Sequence, residues 1–112
     1  MFMVISAGKP VRGSTSGRPI MALLDVLGQR WTLRILWELR DGRQSFRALQ
    51  ARCDAMSPTI LNQRLKTLRD MNLIALDEAG FGLTARARQL SGLLLDLDRL
   101  ANDWASLPDD QA

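Results

Sequence analysis

The 112-residue sequence contains no histidine and only one cysteine, Cys53. A single cysteine cannot close a disulfide within the chain, and a zinc site made of cysteine and histidine has no ligands here. The lack of histidine also removes the commonest general acid–base group, and neither a phosphate-binding loop nor a nucleophile–base pair is present. We therefore predict a protein that is not an enzyme and that holds no metal ion or cofactor. Cys53 itself is expected to be a small buried apolar residue.

Long apolar runs are also missing. The first five residues are apolar but too few, they lack the basic flank of a signal peptide, and no other run approaches membrane-spanning length. Together with the single cysteine, this predicts a cytoplasmic protein without membrane contact. The length predicts one domain, and 46% hydrophobic residues are enough for a small core. Small domains often gain stability by dimerising, so we expect an apolar surface somewhere.

Positive charge is concentrated in the middle of the chain. Residues 30–69 hold nine basic and three acidic side chains, whereas residues 70–112 hold three basic and eight acidic ones. The two segments therefore carry net charges of +6 and −5. A localised positive segment is the electrostatic signature of a protein that binds nucleic acid.

Apolar periodicity, capping residues and turn signals divide the chain into helices and one hairpin. Ser45, Ser57 and Thr84 are suitable N-caps for three of the helices. Two short helices joined by a tight turn and followed by a hairpin form a winged helix-turn-helix, so the predicted fold is mainly α, with about five helices and a short β wing of two or three strands. The predicted elements are helices at 19–27, 31–40, 46–53 and 57–71, strands at 73–77 and 81–83, and a long helix at 84–107.

The two ends of the chain are predicted to lie outside the folded domain, which spans residues 19–107. Residues 1–18 carry Lys9, Arg12 and Arg18 and no acid, and are expected to form a flexible basic arm or a leader without a role. Residues 108–112 are expected to be a frayed acidic tail.

Residues 57–71 are the most informative segment. Pro58 suits the first helical position, and Asn72 tolerates the left-handed conformation that often ends a helix. At about 100° per residue, leucines fill one face of this helix, while amide, hydroxyl and lysine side chains fill the other. Base edges pair with such polar groups, although a merely solvated face has a similar composition. The predicted apolar face is Leu61, Leu65 and Leu68, and the predicted base-reading residues are Thr59, Asn62, Gln63 and Lys66.

The first and last helices carry broad apolar faces. The first is apolar around most of its circumference, which predicts burial on more than one side. The last repeats apolar residues at three- and four-residue intervals and is long for so small a core, which favours a dimer interface over packing within one chain. The predicted interface residues are Leu23, Leu27, Leu90, Leu94, Leu97, Ala101 and Trp104.

Several motifs, in this order and spacing, resemble the HxlR-type winged helix-turn-helix regulators of bacteria, which are relatives of the MarR group. The segment 25–33 is similar to the family's Gly-Gly-Lys/Arg-Trp-Thr-Leu signature, and 45–49 is similar to its entry into the helix-turn-helix. The recognition helix at 56–68, the Leu83-Thr84 pair and the closing Trp104 extend the resemblance from Arg18 to Trp104.

This resemblance implies a homodimer whose N- and C-terminal helices form the interface. Two recognition helices would then enter successive major grooves of a pseudo-palindromic operator. The resemblance also implies a transcriptional repressor or activator. Family members often respond to aldehydes, quinones or oxidants, so a small-molecule effector of unidentified chemistry is left open.

The sequence departs from the family's pattern at four places. Arg18-Pro19 stands where the family often has Cys-Pro, so thiol sensing by that route is absent. The wing tip at 77–80 is short and acidic rather than long and basic, so strong contact with the minor groove is not expected. Asn72 replaces a glycine after the recognition helix, and Ser45 replaces an arginine.

These features together predict a homodimeric, sequence-specific DNA-binding regulator of transcription, working in the cytoplasm at the nucleoid. Arg64 lies near the apolar face of its helix and either meets phosphate or packs inside. The alternative is a winged-helix protein–protein module, an anti-repressor or adaptor with little or no DNA binding, which the acidic wing favours and the +6 segment opposes. The predicted phosphate contacts are Ser57, Arg30, Arg43, Arg47, Arg64 and Arg69.

Overall fold

The computed structural model describes residues 17–107. The predicted arm residues Lys9 and Arg12 and the tail at 108–112 lie outside the described residues. The elements are α1 (Pro19–Leu27), α2 (Thr32–Glu38), α3 (Phe46–Arg52), α4 (Pro58–Asp70), β1 (Ile74–Asp77), β2 (Gly80–Leu83) and α5 (Ala85–Ala105). Their order and type confirm the predicted mainly α winged helix-turn-helix fold.

The predicted N-caps are present at three helices. The hydroxyl oxygens of Ser45, Ser57 and Thr84 accept hydrogen bonds from the backbone N–H groups three residues on, at 3.1, 3.3 and 3.2 Å. Each cap satisfies one of the backbone donors that the first turn of a helix leaves unpaired. The starts of α3, α4 and α5 are therefore fixed by local sequence.

The predicted boundaries of the second helix are too wide. Trp31 has a φ of +77°, a left-handed conformation that keeps it out of the helix, so α2 begins at Thr32. At the other end, the backbone of Leu39, with φ −90° and ψ 0°, is no longer α-helical. The helix α2 therefore ends one residue earlier, at Glu38. The Asp41-Gly42 stop signal lies beyond this end.

The end of α4 has the geometry expected from Asn72. Its φ is +59°, and its N–H donates to the Arg69 carbonyl at 2.9 Å. The next N–H, that of Leu73, donates to the Leu68 carbonyl at 2.9 Å. These two bonds form a Schellman motif, in which buried Leu68 and Leu73 supply the usual accompanying apolar residues.

The hairpin after α4 is an antiparallel pair in which Ile74 lies opposite Leu83 and Asp77 opposite Gly80. Gln44 adds a single bridge on the other edge of β2, because its N–H and carbonyl both bond to Phe81, at 2.9 and 2.8 Å. The wing is therefore a two-stranded sheet with a one-residue third strand, which links it to the turn before α3.

The core lies where α2, α3, α4 and the wing meet. The leucines predicted for the inner face of α4 are all buried, and Cys53 is fully buried, which confirms both predictions. The buried apolar residues are Val26, Ile35, Leu36, Leu39, Leu49, Cys53, Met56, Leu61, Leu65, Leu68, Met71, Leu73, Ile74, Phe81, Leu83 and Ala87.

Within the single chain the first helix is buried on one side only, so the predicted burial on a further side would require a partner and stays a prediction. Only Val26 of α1 is buried, and Ile20 and Leu24 are about half exposed. The physical reason is that α1 packs on α2 at the edge of a small core, which is too narrow to cover the rest of its circumference. Most of the second half of α5 is exposed as well.

Candidate nucleic-acid interface

The outer face of α4 presents four polar side chains to solvent. Thr59, Asn62, Gln63 and Lys66 are all exposed, on the side of the helix opposite its buried leucines. The side chains of Thr59, Asn62 and Gln63 make no hydrogen bond within residues 17–107, so their donors and acceptors are available to a partner. The leucines beneath hold the helix rigidly, which fixes where these polar groups point.

Lys66 differs from the other three. Its Nζ atom lies 2.8 Å from Oδ2 of Asp70, one helical turn on, while the side chain remains largely exposed. Such an exposed pair is worth only a few tenths of a kcal/mol, roughly 0.3–0.5. The ammonium group can therefore leave Asp70 for a stronger acceptor at little cost.

A groove of about 660 Å³ separates α4 from the wing. Asn62, Lys66 and Arg69 line its helix side, and Leu76 and Phe81 line its sheet side. The helix wall thus carries two cationic side chains, an amide and the Asp70 carboxylate that pairs with Lys66, while the other wall is mostly apolar. The lining keeps a net positive charge, which favours an anionic ligand.

The arginines of the middle segment fall into two groups. Arg34 is held by acids, since its guanidinium lies 2.8 Å from Glu38 and 3.2 Å from Asp54, and it donates to the Arg52 carbonyl. The hydrogen bond that Arg34 donates to the Glu38 carboxylate raises the pKa of Arg34 above its ordinary value. Arg30, Arg47 and Arg69 instead are exposed and form no ion pair within residues 17–107.

Two of the predicted phosphate contacts have structural bonds of their own. Arg64 donates from Nε to the Arg30 carbonyl at 2.7 Å, which ties α4 to the turn before α2. Arg43 donates from Nη1 to the carbonyls of Ala75 and Gly80, at 3.1 and 2.9 Å. Its Nε also lies 3.1 Å from Oδ2 of Asp77, so this side chain has fewer free donors than the sequence suggests.

These contacts make the wing tip less acidic than its sequence suggests. Asp77 is neutralised by Arg43, and its other carboxylate oxygen accepts a hydrogen bond from the Ala79 N–H at 2.8 Å. Only Glu78 is left as an exposed, unpaired acid at the tip. Sequence reasoning missed this link because residues 43 and 77 are far apart in the chain, and nothing local signals the pair.

Cys53 is placed away from this surface, at the C-terminal end of α3 and inside the core. Burial raises the pKa of its thiol, so the reactive thiolate is scarcer at neutral pH than for a free cysteine. We expect a thiol-specific disulfide reagent to modify the native protein at least about a hundredfold more slowly than the unfolded one, because access requires opening of the core.

The reaction can be followed by the absorbance of the released aromatic thiolate, with and without guanidinium. The unfolded chain is the control for intrinsic reactivity. Equal rates in the two solutions would mean that Cys53 is accessible in the native protein.

The architecture defines the class of this protein. α3 and α4 are two short helices joined by a tight turn, the second bears the exposed polar face, and a hairpin follows directly. That arrangement is a winged helix-turn-helix. Within residues 17–107, no helix combines the length and the apolar character that crossing a bilayer requires.

Comparison with known proteins gives the family. A family model described as HxlR-like helix-turn-helix matches residues 26–109, and the chain belongs to this family. The HTH-type transcriptional regulator YvaP of Bacillus subtilis is 26% identical over 88 residues, which cover 72% of this chain and 82% of YvaP. A second HTH-type transcriptional regulator, from Synechocystis, is 28% identical over 93 residues, covering 77% and 69% of the two chains. These relatives are transcriptional regulators rather than enzymes.

Solved structures confirm the fold. The quinone-bound structure of YodB from B. subtilis superposes with a TM-score of 0.69 at 23% identity, covering 75% of this chain and 96% of YodB. The reduced form of YodB gives a TM-score of 0.66 at 24% identity, covering 81% and 97%.

Proposed function

We propose that this protein is a sequence-specific, DNA-binding transcriptional regulator that acts as a homodimer on a pseudo-palindromic operator. The observation that carries the proposal is the outer face of α4, where exposed polar side chains without internal partners stand on a rigid buried base. Membership in a family of helix-turn-helix regulators supports the same conclusion. The regulator would work in the cytoplasm, at the nucleoid.

In the proposed complex, residues 57–71 lie in the major groove. Asn62 and Gln63 have the amide geometry that pairs with adenine, Thr59 can serve several acceptors or a thymine methyl, and Lys66 suits guanine. Leaving Asp70 for a base edge costs Lys66 little, as its pair is exposed. These four residues are the proposed base-reading set.

The phosphate contacts are proposed to come from around this helix. Arg30, Arg47 and Arg69 are exposed and unpaired within residues 17–107, so they are the strongest members of the set. Ser57 can still donate its hydroxyl hydrogen while its oxygen caps α4. Arg64 and Arg43 each use some donors internally and would contribute through those that remain.

The dimer is proposed to form through α1 and the C-terminal helix, residues 84–107. Leu97 and Trp104 are 56% and 64% exposed in the single chain, and Ala101 is exposed beside them. Leu27, Leu90 and Leu94 are partly buried against the core and connect this face to it, and Leu23 is partly exposed on α1. A second copy of the chain would cover an apolar surface that water otherwise meets. The folded unit would be residues 19–107.

We expect Gln63→Ala to weaken operator binding by roughly 1–3 kcal/mol and to relax the base preference at one position of each half-site. The reason is that a bidentate amide contact would be lost, while no internal hydrogen bond of the Gln63 side chain is lost with it. The measurement is a gel-shift titration on fragments selected from the source genome by the protein itself.

Gln89→Ala is the matched control, since it makes the same change at an exposed position of α5. Its operator affinity should equal that of the unmodified protein. If Gln63→Ala keeps both the affinity and the base preference, Gln63 does not read the operator.

One observation favours a second candidate function. Glu78 is an exposed, unpaired acid at the wing tip, which suits a protein–protein module better than a wing lying against phosphates. Binding to a non-specific duplex as a function of salt separates the two functions. Affinity that falls steeply between low and moderate salt supports the DNA-binding regulator, whereas no binding even at low salt supports the module.

A further inference from the structure

A second cavity, of about 290 Å³, lies beside β2. Gly82 and Leu83 line this cavity, whereas Phe81 lines the groove between α4 and the wing. The turn after α2 and the first half of α5 form its other walls. None of the four proposed base-reading residues lines it, although Arg43, one of the proposed phosphate contacts, does.

The walls of this cavity are strongly basic. Arg40, Arg43 and Arg88 all line it, and Asp41 is the single acidic residue among the lining residues. Arg40 lies over the ring of Trp37, at 3.8 Å from its centroid, and its Nη2 is 3.7 Å from Asp41. The stacking on Trp37 and the hydrogen bond that Nη1 donates to the Trp37 carbonyl at 2.9 Å hold the Arg40 guanidinium in place and leave it only its remaining donors for a ligand.

No contact within the described residues accounts for the presence of an arginine at position 88. Arg88 is exposed, and its side chain makes no hydrogen bond or ion pair within residues 17–107. It also lies at the end of the first turn of α5, which carries no acidic residue. Cations are unfavourable there because the helix dipole has its positive end at the N-terminus. The Arg88 side chain therefore keeps its donors free for an acceptor from outside the described chain.

Ser91 adds a hydrogen-bond donor to the same cavity. Its hydroxyl oxygen is buried and has no hydrogen-bond partner in the part of the chain that the structure describes. A serine inside a helix usually donates to the carbonyl four residues before it, here that of Ala87. An unused buried hydroxyl costs free energy, and a ligand that accepts its hydrogen would remove that cost.

We propose that this cavity binds a small oxyanion, a molecule that carries a phosphoryl or carboxylate group. Arg88 and Arg40 supply charge and planar N–H donors, which match the oxygen atoms of such a group, and Ser91 donates its hydroxyl hydrogen. The volume suits a small ligand rather than a polymer.

The site also provides a route to regulation, and this step rests on the proposed function. Arg43 lines the cavity and at the same time holds Ala75, Gly80 and Asp77 of the wing. An anion in the cavity competes with Asp77 for the Arg43 guanidinium. Bound anion therefore loosens the wing and changes DNA affinity.

The test is a titration of the free protein with inorganic phosphate, followed by amide resonances in two-dimensional NMR, with chloride at equal ionic strength as the reference. We expect saturable shifts at Gly42, Gly82 and Ser91. Arg88→Gln should weaken phosphate binding about tenfold or more, as expected for losing a charged hydrogen-bond donor. Arg99→Gln, on the same helix but away from the cavity, should leave it unchanged. A second titration with succinate covers the carboxylate class.

Ser91→Ala should also weaken anion binding, by a few-fold, without lowering the melting temperature. No saturable shift with either anion, or equal losses in Arg88→Gln and Arg99→Gln, would overturn the site. If neither anion binds but Arg88→Gln lowers the affinity for a non-specific duplex more than Arg99→Gln does, the charge serves the DNA backbone and the small-anion site is wrong. Because phosphate binding is measured without DNA, these outcomes do not depend on the proposed function.

Discussion

Leu97→Glu is expected to convert the proposed dimer into a monomer and to lower affinity for the proposed operator by about 10²–10⁴-fold. The first effect follows because a charge would be placed in the middle of the apolar face of α5, where burial against a second copy would leave it unpaired. The second follows because two linked half-site contacts become one, and the gain from effective concentration disappears. Leu97 is 56% exposed in the single chain, so the substitution removes little of the core.

Sedimentation velocity measures the oligomeric state, and a gel shift on selected genomic fragments measures affinity. Leu95→Glu is a closely matched control, because Leu95 is 49% exposed on the same helix but lies about 160° around it from Leu97. That variant should remain a dimer and bind normally. A dimeric Leu97→Glu protein would mean that this face of α5 is not the interface.

Leu97 is a better position than Leu94 for this experiment. Leu94 is partly buried against the core, so a charge there would mix loss of folding with loss of dimerisation. Leu95→Glu keeps its partner, so its melting temperature should fall only slightly, through the change in α5 itself. Leu97→Glu also loses the stabilisation that association supplies, so it should melt below Leu95→Glu while still unfolding cooperatively.

The parts of this fold that follow from the sequence are those set by local chemistry. Ser57, Pro58 and Asn72 mark both ends of α4 because each acts on backbone groups within a few residues of itself. The same holds for the caps at Ser45 and Thr84. Apolar periodicity then identifies which face of α4 is buried. This prediction requires only that the face packs against some apolar surface, whichever element supplies it.

The parts that do not follow are contacts between distant residues. The count of charges in residues 30–69 is correct, but it does not tell which cations are free. Arg34 looks equivalent to Arg30 in the sequence, yet it pairs with Glu38 and Asp54, while Arg30 stays exposed. Long-range pairing of this kind depends on how the elements pack, which no short window of sequence records.

The candidate base-reading face of α4 could be predicted from the sequence only in part. Helical spacing suffices to predict that Thr59, Asn62, Gln63 and Lys66 lie on the exposed side of α4. The spacing does not predict that Lys66 rests on Asp70, nor that Arg43 is shared with the wing. Those details decide which donors a DNA duplex would find free.

Gly80→Ala is expected to destabilise the protein by about 3 kcal/mol or more and to lower its melting temperature by roughly 10–20 °C. Gly80 has a φ of +111°, which side chains other than glycine rarely adopt. A Cβ atom there would lie 2.3 Å from the carbonyl oxygen of Gln44 and 2.6 Å from its carbonyl carbon. Backbone atoms cannot rotate away, so the wing would have to move.

Movement of the wing would break several contacts together. Gln44 exchanges two backbone hydrogen bonds with Phe81, and its side chain donates to the Glu38 carbonyl at 2.7 Å, which holds the turn in place. The Gly80 carbonyl accepts a hydrogen bond from Arg43. These contacts join the wing to the rest of the domain, so the hairpin cannot shift without losing them.

Gly42→Ala separates the cost of the positive φ from the cost of the close contact between the added Cβ and Gln44. Both variants can be compared by thermal and denaturant unfolding. Gly42 also has a positive φ, of +151°, but an added Cβ meets no atom within 4 Å. That variant should show the backbone cost alone, about 1–2 kcal/mol. The difference between the two variants then measures the contact between Gly80 and Gln44. If Gly80→Ala costs no more than Gly42→Ala, the hairpin yields freely, and the bridge from Gln44 to Phe81 does not fix the position of the wing.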